Sequence, residues 1–296
     1  MDHRSALGEF LQARRARISP DDVGLPRYGD RRRVPGLRRE ELAMLAGVSA
    51  GYYTRLEQGQ SLHASPEVLD AIAAAMRLTP AERDHLRLLS ATAGQRGRQA
   101  APPSERVGAD LPALLEAMAD VPALVMGRRN DVLAWNPAGH ALLAGHLDAE
   151  SPGDPERRPN MTRLVFLDAH TRGLYRDWPA KARAVVGNLR VMTAHRPGDT
   201  GLAELVGELA IASADFARMW AEHAVEPCGR EVFDLAHPLV GDLTVTQQTL
   251  GVPQEPHQSV VTMTAEPGSP SAAALTMLRH SIRRPPTPVS GPGHSW

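Results

Sequence analysis

The stretch from Leu37 to Gly59, LRREELAMLAGVSAGYYTRLEQG, constrains this chain more than any other. Leu42, Leu45 and Ala46 recur at helical spacing and form one apolar face. Gly47 follows, and glycine tolerates the left-handed backbone that a sharp turn between helices demands. Val48 is apolar and stands where a side chain plugs the angle between the two helices. Ser49 is placed to cap a second helix by accepting hydrogen bonds from its first free amides. In that helix Tyr53 and Leu56 lie three apart and face inward, which leaves Ala50, Gly51, Tyr52, Thr54, Arg55 and Gln58 mostly outward. Two short helices held at a steep angle by a Gly-containing turn are the geometry that lays the second helix in a DNA major groove.

The pattern L-A-x-x-A-G-V-S-x-x-Y-Y-x-R-L-E-Q-G resembles the lambda-repressor-like, Xre-type helix-turn-helix. The resemblance implies a small helical bundle that binds double-stranded DNA, with Glu57 structural, capping or pairing within the bundle. One departure limits it: Arg38 stands where many Xre-type domains carry a Thr or Ser cap. The fold and the DNA-binding role carry over, and a sequence specificity does not.

Around this motif the other bundle helices are legible. Residues 6–17 read as an opening helix with Leu7, Phe10, Leu11 and Arg14 at helical spacing. Residues 66–76 follow Ser65 and Pro66, a cap and a first-turn proline. Thr79-Pro80-Ala81-Glu82 opens another helix with Glu82 at the capping-box position. Its stripe of Leu86 and Leu89 serves either as a dimer face or as core. A five-helix bundle is thus expected over 1–93.

Residues 18–36 form a long loop carrying Arg27, Arg31, Arg32 and Arg33, with Arg38 and Arg39 just beyond, and Asp30 alone opposes these six arginines between residues 27 and 39. Guanidinium groups suit phosphate oxygens in geometry and charge. If three or four of them neutralise phosphates, the salt slope per monomer is on the order of −3 to −4. Base reading is harder to place. The first turn of the second helix, Ala50-Gly51-Tyr52, is poor in the side chains that pair with base edges. Thr54 or Ala50 suits a thymine methyl, Arg55 a guanine or a phosphate, and Tyr52 either bonds phosphate or packs. The DNA-contact set expected is therefore Arg31, Arg32, Arg33, Arg38, Arg39, Ser49, Ala50, Gly51, Tyr52, Thr54 and Arg55.

Charge distribution agrees with a DNA-binding head. Residues 1–100 hold 16 Arg against 12 acids, whereas 101–296 hold 17 basic groups against 22 acids. Lys181 is the only lysine, and the abundance of Arg, Ala, Pro and Gly fits a GC-rich bacterial genome. The single cysteine, Cys228, excludes an internal disulfide framework and a Cys-based zinc site. No apolar run spans a bilayer and the first ten residues hold no apolar signal core, so a cytoplasmic protein without membrane contact is expected.

The Gly-, Gln- and Pro-rich segment 94–108 reads as a linker. Beyond it, Leu111, Leu114, Leu115 and Met118 suggest a helix. Ala123–Met126 and Val132–Trp135 are β-prone runs around a turn, and Asn136-Pro137 leads into a helix from Ala138. Residues 161–168 and 178–224 are chiefly helical, with a break at Gly198–Gly201. Residues 231–235, 242–250 and 258–264 read as strands and 270–282 as a closing helix. The expected second domain, 109–282, is an antiparallel sheet with flanking helices, an α+β class. The Pro- and Gly-rich tail 283–296 reads as disordered.

VLAWNPAGHALL (132–143), NMTRLVFLD (160–168), HPLVGDLT (237–244) and TAEPGSPSAAAL (264–275) resemble the ligand-binding domain of MmyB-like transcription regulators. That resemblance implies a PAS-like pocket for a fatty-acid-like or other hydrophobic small molecule. The residues say less. Aromatics are scarce, yet Trp135, Phe166, Tyr175, Trp178, Phe216, Trp220 and Phe233 all fall in this domain. They either fill the core or, as a set, line a pocket with a few polar anchors. Arg163, Arg172, Arg190 and His237 are candidate anchors for a carboxylate. The expected ligand set is Trp135, Asn136, Phe166, Trp178, Trp220, Phe233 and His237, although Asn136 also suits a strand-to-helix corner.

Catalytic motifs are missing: there is no HExxH, no paired Cys/His at zinc spacing, no G-x-S-x-G and no Walker A loop. His140 and His146 do not share a helix face. The expectation is a two-domain regulator, not an enzyme, with no cofactor and no metal. It binds an operator as a homodimer, with half-sites roughly 10 bp apart or a multiple, and a hydrophobic effector biases it. Repression relieved by ligand is the expected sign. The rivals are an enzyme localised by its head, and a regulator whose second domain only dimerises.

Overall fold

In the computed structural model of the chain, residues 6–25, 36–60, 64–92, 105–196, 198–223 and 230–283 are described. They form an N-terminal helical region, then a five-stranded antiparallel sheet with flanking helices.

The helical region opens with α1 (Ala6–Arg17), α2 (Arg39–Leu45), α3 (Ala50–Glu57), α4 (Pro66–Ala75) and α5 (Pro80–Thr92). Local chemistry explains their starts. The Ser49 and Ser65 hydroxyls accept from the Tyr52 amide at 3.1 Å and the Val68 amide at 3.4 Å. At α5, Thr79 and Glu82 form the reciprocal capping box: the Thr79 amide donates to Glu82 Oε2 at 2.8 Å and the Glu82 amide to Thr79 Oγ1 at 3.3 Å. Leu86 and Leu89 are buried, so the α5 stripe belongs to the core and is not a dimer face.

Next come α6 (Leu111–Ala117), β1 (Ala123–Met126), β2 (Val132–Trp135), α7 (Pro137–Ala144), α8 (Met161–Leu167) and α9 (Ala169–Leu174). Three more helices follow: α10 (Trp178–His195), α11 (Thr200–Ala212) and α12 (Ala214–Ala221). The chain closes with β3 (Arg230–His237), β4 (Gly241–Val252), β5 (Glu255–Thr264) and α13 (Pro270–Arg283).

The chain condenses into two compact units. One comprises 1–103 with 182–228, and the other 104–181 with 229–296. Most of α10, with α11 and α12, thus packs with α1–α5, although these helices fall within the expected second domain, 109–282. The physical reason is burial: Ala194 of α10 sinks into the same apolar cluster as Leu7, Phe10, Leu11, Leu42, Tyr53 and Ile72, and Val191 packs against it. That cluster is the core of the first unit.

In the second unit the sheet order is β2-β1-β5-β4-β3, every neighbour antiparallel. This matches the PAS-like α+β arrangement expected. All four residues of β1 are buried, as a central strand covered on both faces requires. Leu111 and Leu115 of α6 pack with Val125, Leu133 and Val260. α7 approaches β1 so closely that a Cβ at Gly139 would collide with the Ala123 carbonyl oxygen. The end of the expected linker is anchored here: Gln258 accepts from the Gly108 amide at 3.0 Å and donates to the Arg106 carbonyl at 2.7 Å. The expected tail lies outside the described residues except for Arg283, the last residue of α13.

Candidate nucleic-acid interface and ligand domain

The α2–α3 pair forms as its residues demand. Gly47 takes φ +66°, the left-handed value the turn needs. Val48 is half-buried against the core between the helices. Tyr53, Leu56 and Glu57 are the buried residues of α3. On its other side Ala50, Gly51, Arg55 and Gln58 are exposed, while Tyr52 and Thr54 are half-buried and Tyr52 leans on the core. No carboxylate pairs with Arg55 among the described residues. Ser49 is committed to the α3 cap.

The arginines divide. Arg31, Arg32 and Arg33 lie outside the described residues, as does Arg27. Arg38 remains exposed, 3.7 Å from Glu40. Arg39 pairs within the bundle while its side chain stays partly exposed: its Nε donates to Glu57 at 2.9 Å, and Arg15 grips the same carboxylate through Nε at 3.0 Å and Nη2 at 2.9 Å. Arg15 Nη1 also donates to the Leu37 carbonyl at 2.6 Å. Burial pushes the Glu57 carboxyl up, but the hydrogen bonds and charge of Arg15 and then Arg39 outweigh it and hold the group below the usual carboxylate range. This ion triad ties α1, the entry to α2 and the end of α3 into one frame, which sets the angle of the α3 face. Glu57 is structural, as the family resemblance implied.

A second buried polar cluster sits elsewhere in the same unit. Arg14 pairs with Glu82 at 2.6 Å and donates through Nη2 to the His223 carbonyl. Arg190 of α10 donates to His223 Nδ1 at 3.0 Å and to the Trp220 carbonyl, and its guanidinium lies 4.3 Å from the Trp220 ring centroid. Burial, then the Arg14 charge, lowers Arg190 to about 10. Burial, then the Arg190 and Arg14 charges, lowers both His85 and His223 to about 4. Both imidazoles are therefore neutral near pH 7.

The expected ligand residues are distributed over the two compact units. Trp220 belongs to the first unit, stacked on Phe216 at 5.6 Å and on Arg190. Arg190 lies in the same unit. Asn136 is buried and fully engaged. Its Oδ1 accepts from the Ala123 and Gly139 amides at 3.1 and 2.8 Å, and its Nδ2 donates to the Met118 and Val121 carbonyls at 2.9 and 2.8 Å. It fixes the β2–α7 corner and has no capacity left for a ligand. His237 is likewise committed: Nδ1 accepts from the Leu239 amide at 3.2 Å and Nε2 faces the Ala141 carbonyl at 3.0 Å. Trp135 is half-buried, donates to the Ala149 carbonyl at 2.7 Å and tilts against His140.

Among the described residues, two pairs formed by Phe, Tyr and Trp rings lie in the second unit. Phe166 and Trp178 meet edge to face at 5.7 Å, with the Arg172 guanidinium 3.6 Å from the Trp178 centroid. Tyr175 and Phe233 meet edge to face at 5.4 Å, with Lys181 Nζ 4.4 Å from the Phe233 centroid. Each pair is apolar with one cation over a ring. Tyr175 and Lys181 were not in the expected ligand set, and the short α9 that leads to Tyr175 left no periodicity to find. A recess of about 310 Å³ lined by Ser151, Arg157, Arg158 and Arg163 was also missed, except for Arg163. Among the described residues no group of three His, Cys, Asp or Glu is arranged to hold a metal ion, and no helix is long and apolar enough to cross a membrane.

Comparison with known families matches residues 107–278 to the MmyB-like transcription regulator ligand binding domain. Residues 6–86 match a helix-turn-helix domain. No curated protein matches the chain.

Proposed function

The chain belongs to the MmyB-like transcription regulators, pairing a helix-turn-helix DNA-binding domain with a ligand-binding domain, and on that premise we propose that it is a cytoplasmic repressor that grips its operator as a homodimer and releases it when a hydrophobic, fatty-acid-like molecule fills the second domain. The observation that carries the DNA half is the α3 face. Ala50, Gly51 and Arg55 stand exposed on a helix whose buried side is locked by the Glu57 triad. Arg55 reads a base edge or a phosphate, and Arg38 adds a phosphate contact with the arginines of the 27–33 segment. The effector half rests on the two aromatic pairs with their overlying cations, which suit an apolar body with an anionic end.

In this reading effector binding in the ligand domain is coupled to the DNA affinity of the head. Such coupling is reciprocal: operator DNA changes effector affinity by the same factor. The test pairs two measurements on the full chain. Mass spectrometry of an organic extract identifies any bound acyl species, and fluorescence anisotropy with DNA from upstream of its own gene follows operator affinity with and without that species. The reading expects a stoichiometric extract and weaker DNA binding when it is added back. An empty extract with intact operator binding favours a second domain that only dimerises. Operator affinity rising with the effector makes the protein an activator of binding and overturns the repressor sign.

A further inference from the structure

We propose that the recess between the end of α7 and the start of α8 is a binding site for a compact organic anion, a carboxylate or phosphate on an apolar body. None of the aromatic residues singled out from the sequence lines it. It is therefore a site beyond the hydrophobic-effector reading, and it stands or falls separately.

The chemistry of the walls is asymmetric. Three guanidinium groups, Arg157, Arg158 and Arg163, face a single carboxylate, Asp148. Arg157 uses that carboxylate, at 2.8 Å, and both side chains of the pair are well exposed at the rim. Arg158 has no acidic partner. Its Nε donates to the Pro152 carbonyl and its Nη1 to the Glu105 carbonyl, each at 2.9 Å. Two neutral acceptors thus hold the guanidinium in place without cancelling its charge, and its Nη2 makes no hydrogen bond among the described residues. A half-buried guanidinium, pre-positioned and uncompensated, favours an anionic partner by charge and by the cost of leaving it alone.

A second observation points the same way. Ser151 is 5 % exposed, and its hydroxyl is buried with no hydrogen-bond partner. A buried hydroxyl left unpaired costs free energy. Because Ser151 lines the recess, a ligand oxygen reached by a small rotation of that side chain satisfies it. Leu147, Pro159 and Leu164 supply apolar walls, so a bare inorganic ion leaves them unused. A volume of about 310 Å³ lies at the lower end for ligand sites, which favours a compact body over a long chain.

The test titrates the full chain calorimetrically with benzoate, phenyl phosphate, phenol and inorganic phosphate. Benzoate or phenyl phosphate should bind at least about 10-fold more tightly than phenol and than inorganic phosphate, and whichever of the two is tighter identifies the head group. Arg158→Gln and Arg163→Gln should each weaken that binding about 10-fold. Arg163 is exposed, so its variant separates lost binding from lost fold if Arg158→Gln destabilises the loop. Leu147→Trp, which fills the recess without touching a charge, should abolish binding. Arg157→Gln should have the smallest effect. Equal affinity for phenol, an inorganic phosphate as tight as phenyl phosphate, no binding of any probe, or full affinity in Arg163→Gln and Leu147→Trp would each overturn the proposal. None of these outcomes bears on the acyl extract or on operator binding.

Discussion

Arg14 and Arg15 are neighbours on α1, both buried, yet they enter clusters of opposite electrical character. Arg15 joins Arg39 around Glu57, whose side chain is 1 % exposed and takes hydrogen bonds from both guanidiniums. Arg14 enters a cluster that holds two guanidiniums, its own and that of Arg190, with two neutral histidines and one carboxylate, Glu82, which pairs with Arg14 alone. The first cluster is closed: each partner holds the others in one geometry. The second is held by backbone carbonyls, an imidazole nitrogen and an aromatic face, and it keeps an uncancelled positive charge. The closed cluster fixes the helix-turn-helix. The open one joins α1 and α5 to α10 and the end of α12, the part of the unit that the chain reaches through the ligand domain.

The largest expected effect breaks the closed cluster. Glu57→Gln leaves Arg15 and Arg39 without their counter-charge, and removing one partner of a buried ion pair costs about 3–5 kcal/mol. Urea denaturation of the full chain reads this directly. A loss below about 1 kcal/mol would mean that water reaches the triad and that the two clusters differ less than their burial implies.

Next in size is the pH response of the open cluster. The groups facing one another there are His85, His223, His195, Arg14, Arg190 and Glu82, with Glu9 acting on Arg190 from a distance. His85 and His223 have folded-state values of about 4 against 6.5 when unfolded. Above pH 6.5 neither state binds the proton. As pH falls from 6.5 toward 4, the unfolded chain protonates first, so stability present above 6.5 is lost across that window. His85, at 4 % exposure, contributes about 2 kcal/mol of this loss between pH 7.5 and 5.0. His85→Phe, which keeps an edge-to-face partner for Phe10, should flatten the pH dependence by that amount. An unchanged slope would show that the imidazole protonates without cost in the folded chain.

How much of this was legible follows the range of each interaction. Element boundaries came through within a few residues because their causes are local: Ser49 and Ser65 at caps, Thr79 with Glu82, Asn136-Pro137 after a strand. The outward face of α3 was legible from Tyr53 and Leu56 alone. Pairings over long separations were not. Arg39 reads as one more phosphate-binding arginine until Glu57 is seen beside it, and nothing local says that Ala194 belongs in the core of the head. Asn136 carried the right signal for a corner, and its buried bonds confirm that role over a ligand contact. The recess near α8 draws on Arg157, Arg158 and Ser151, which read separately as loop residues.

A smaller effect tests whether the open cluster needs its charge at all. Arg190→Met keeps the length and apolar contact with Trp220 while removing a buried cation that no carboxylate neutralises. Buried ionic groups replaced by apolar ones of similar volume are often neutral or stabilising, so the change should stay within about 1 kcal/mol in either direction. A loss near 3 kcal/mol would equate this cluster with the Glu57 triad and erase the contrast.

Arg55 stands outside both clusters, and beside it lies the smallest and most discriminating change. Gly51 is exposed within α3, and a Cβ there would meet only Arg55 Nη1, at 3.9 Å. Its φ is not left-handed, so neither the turn nor packing requires glycine there. Glycine inside a helix costs roughly 0.5–1 kcal/mol relative to alanine. Gly51→Ala should therefore stabilise the chain by about that amount in urea denaturation. If the α3 face meets the DNA backbone closely, the same methyl group lowers operator affinity while the fold gains stability, and anisotropy titrations would separate the two effects. A variant that gains stability and keeps full affinity would move the contact away from the first turn of α3, toward Arg55 and the arginines that precede α2.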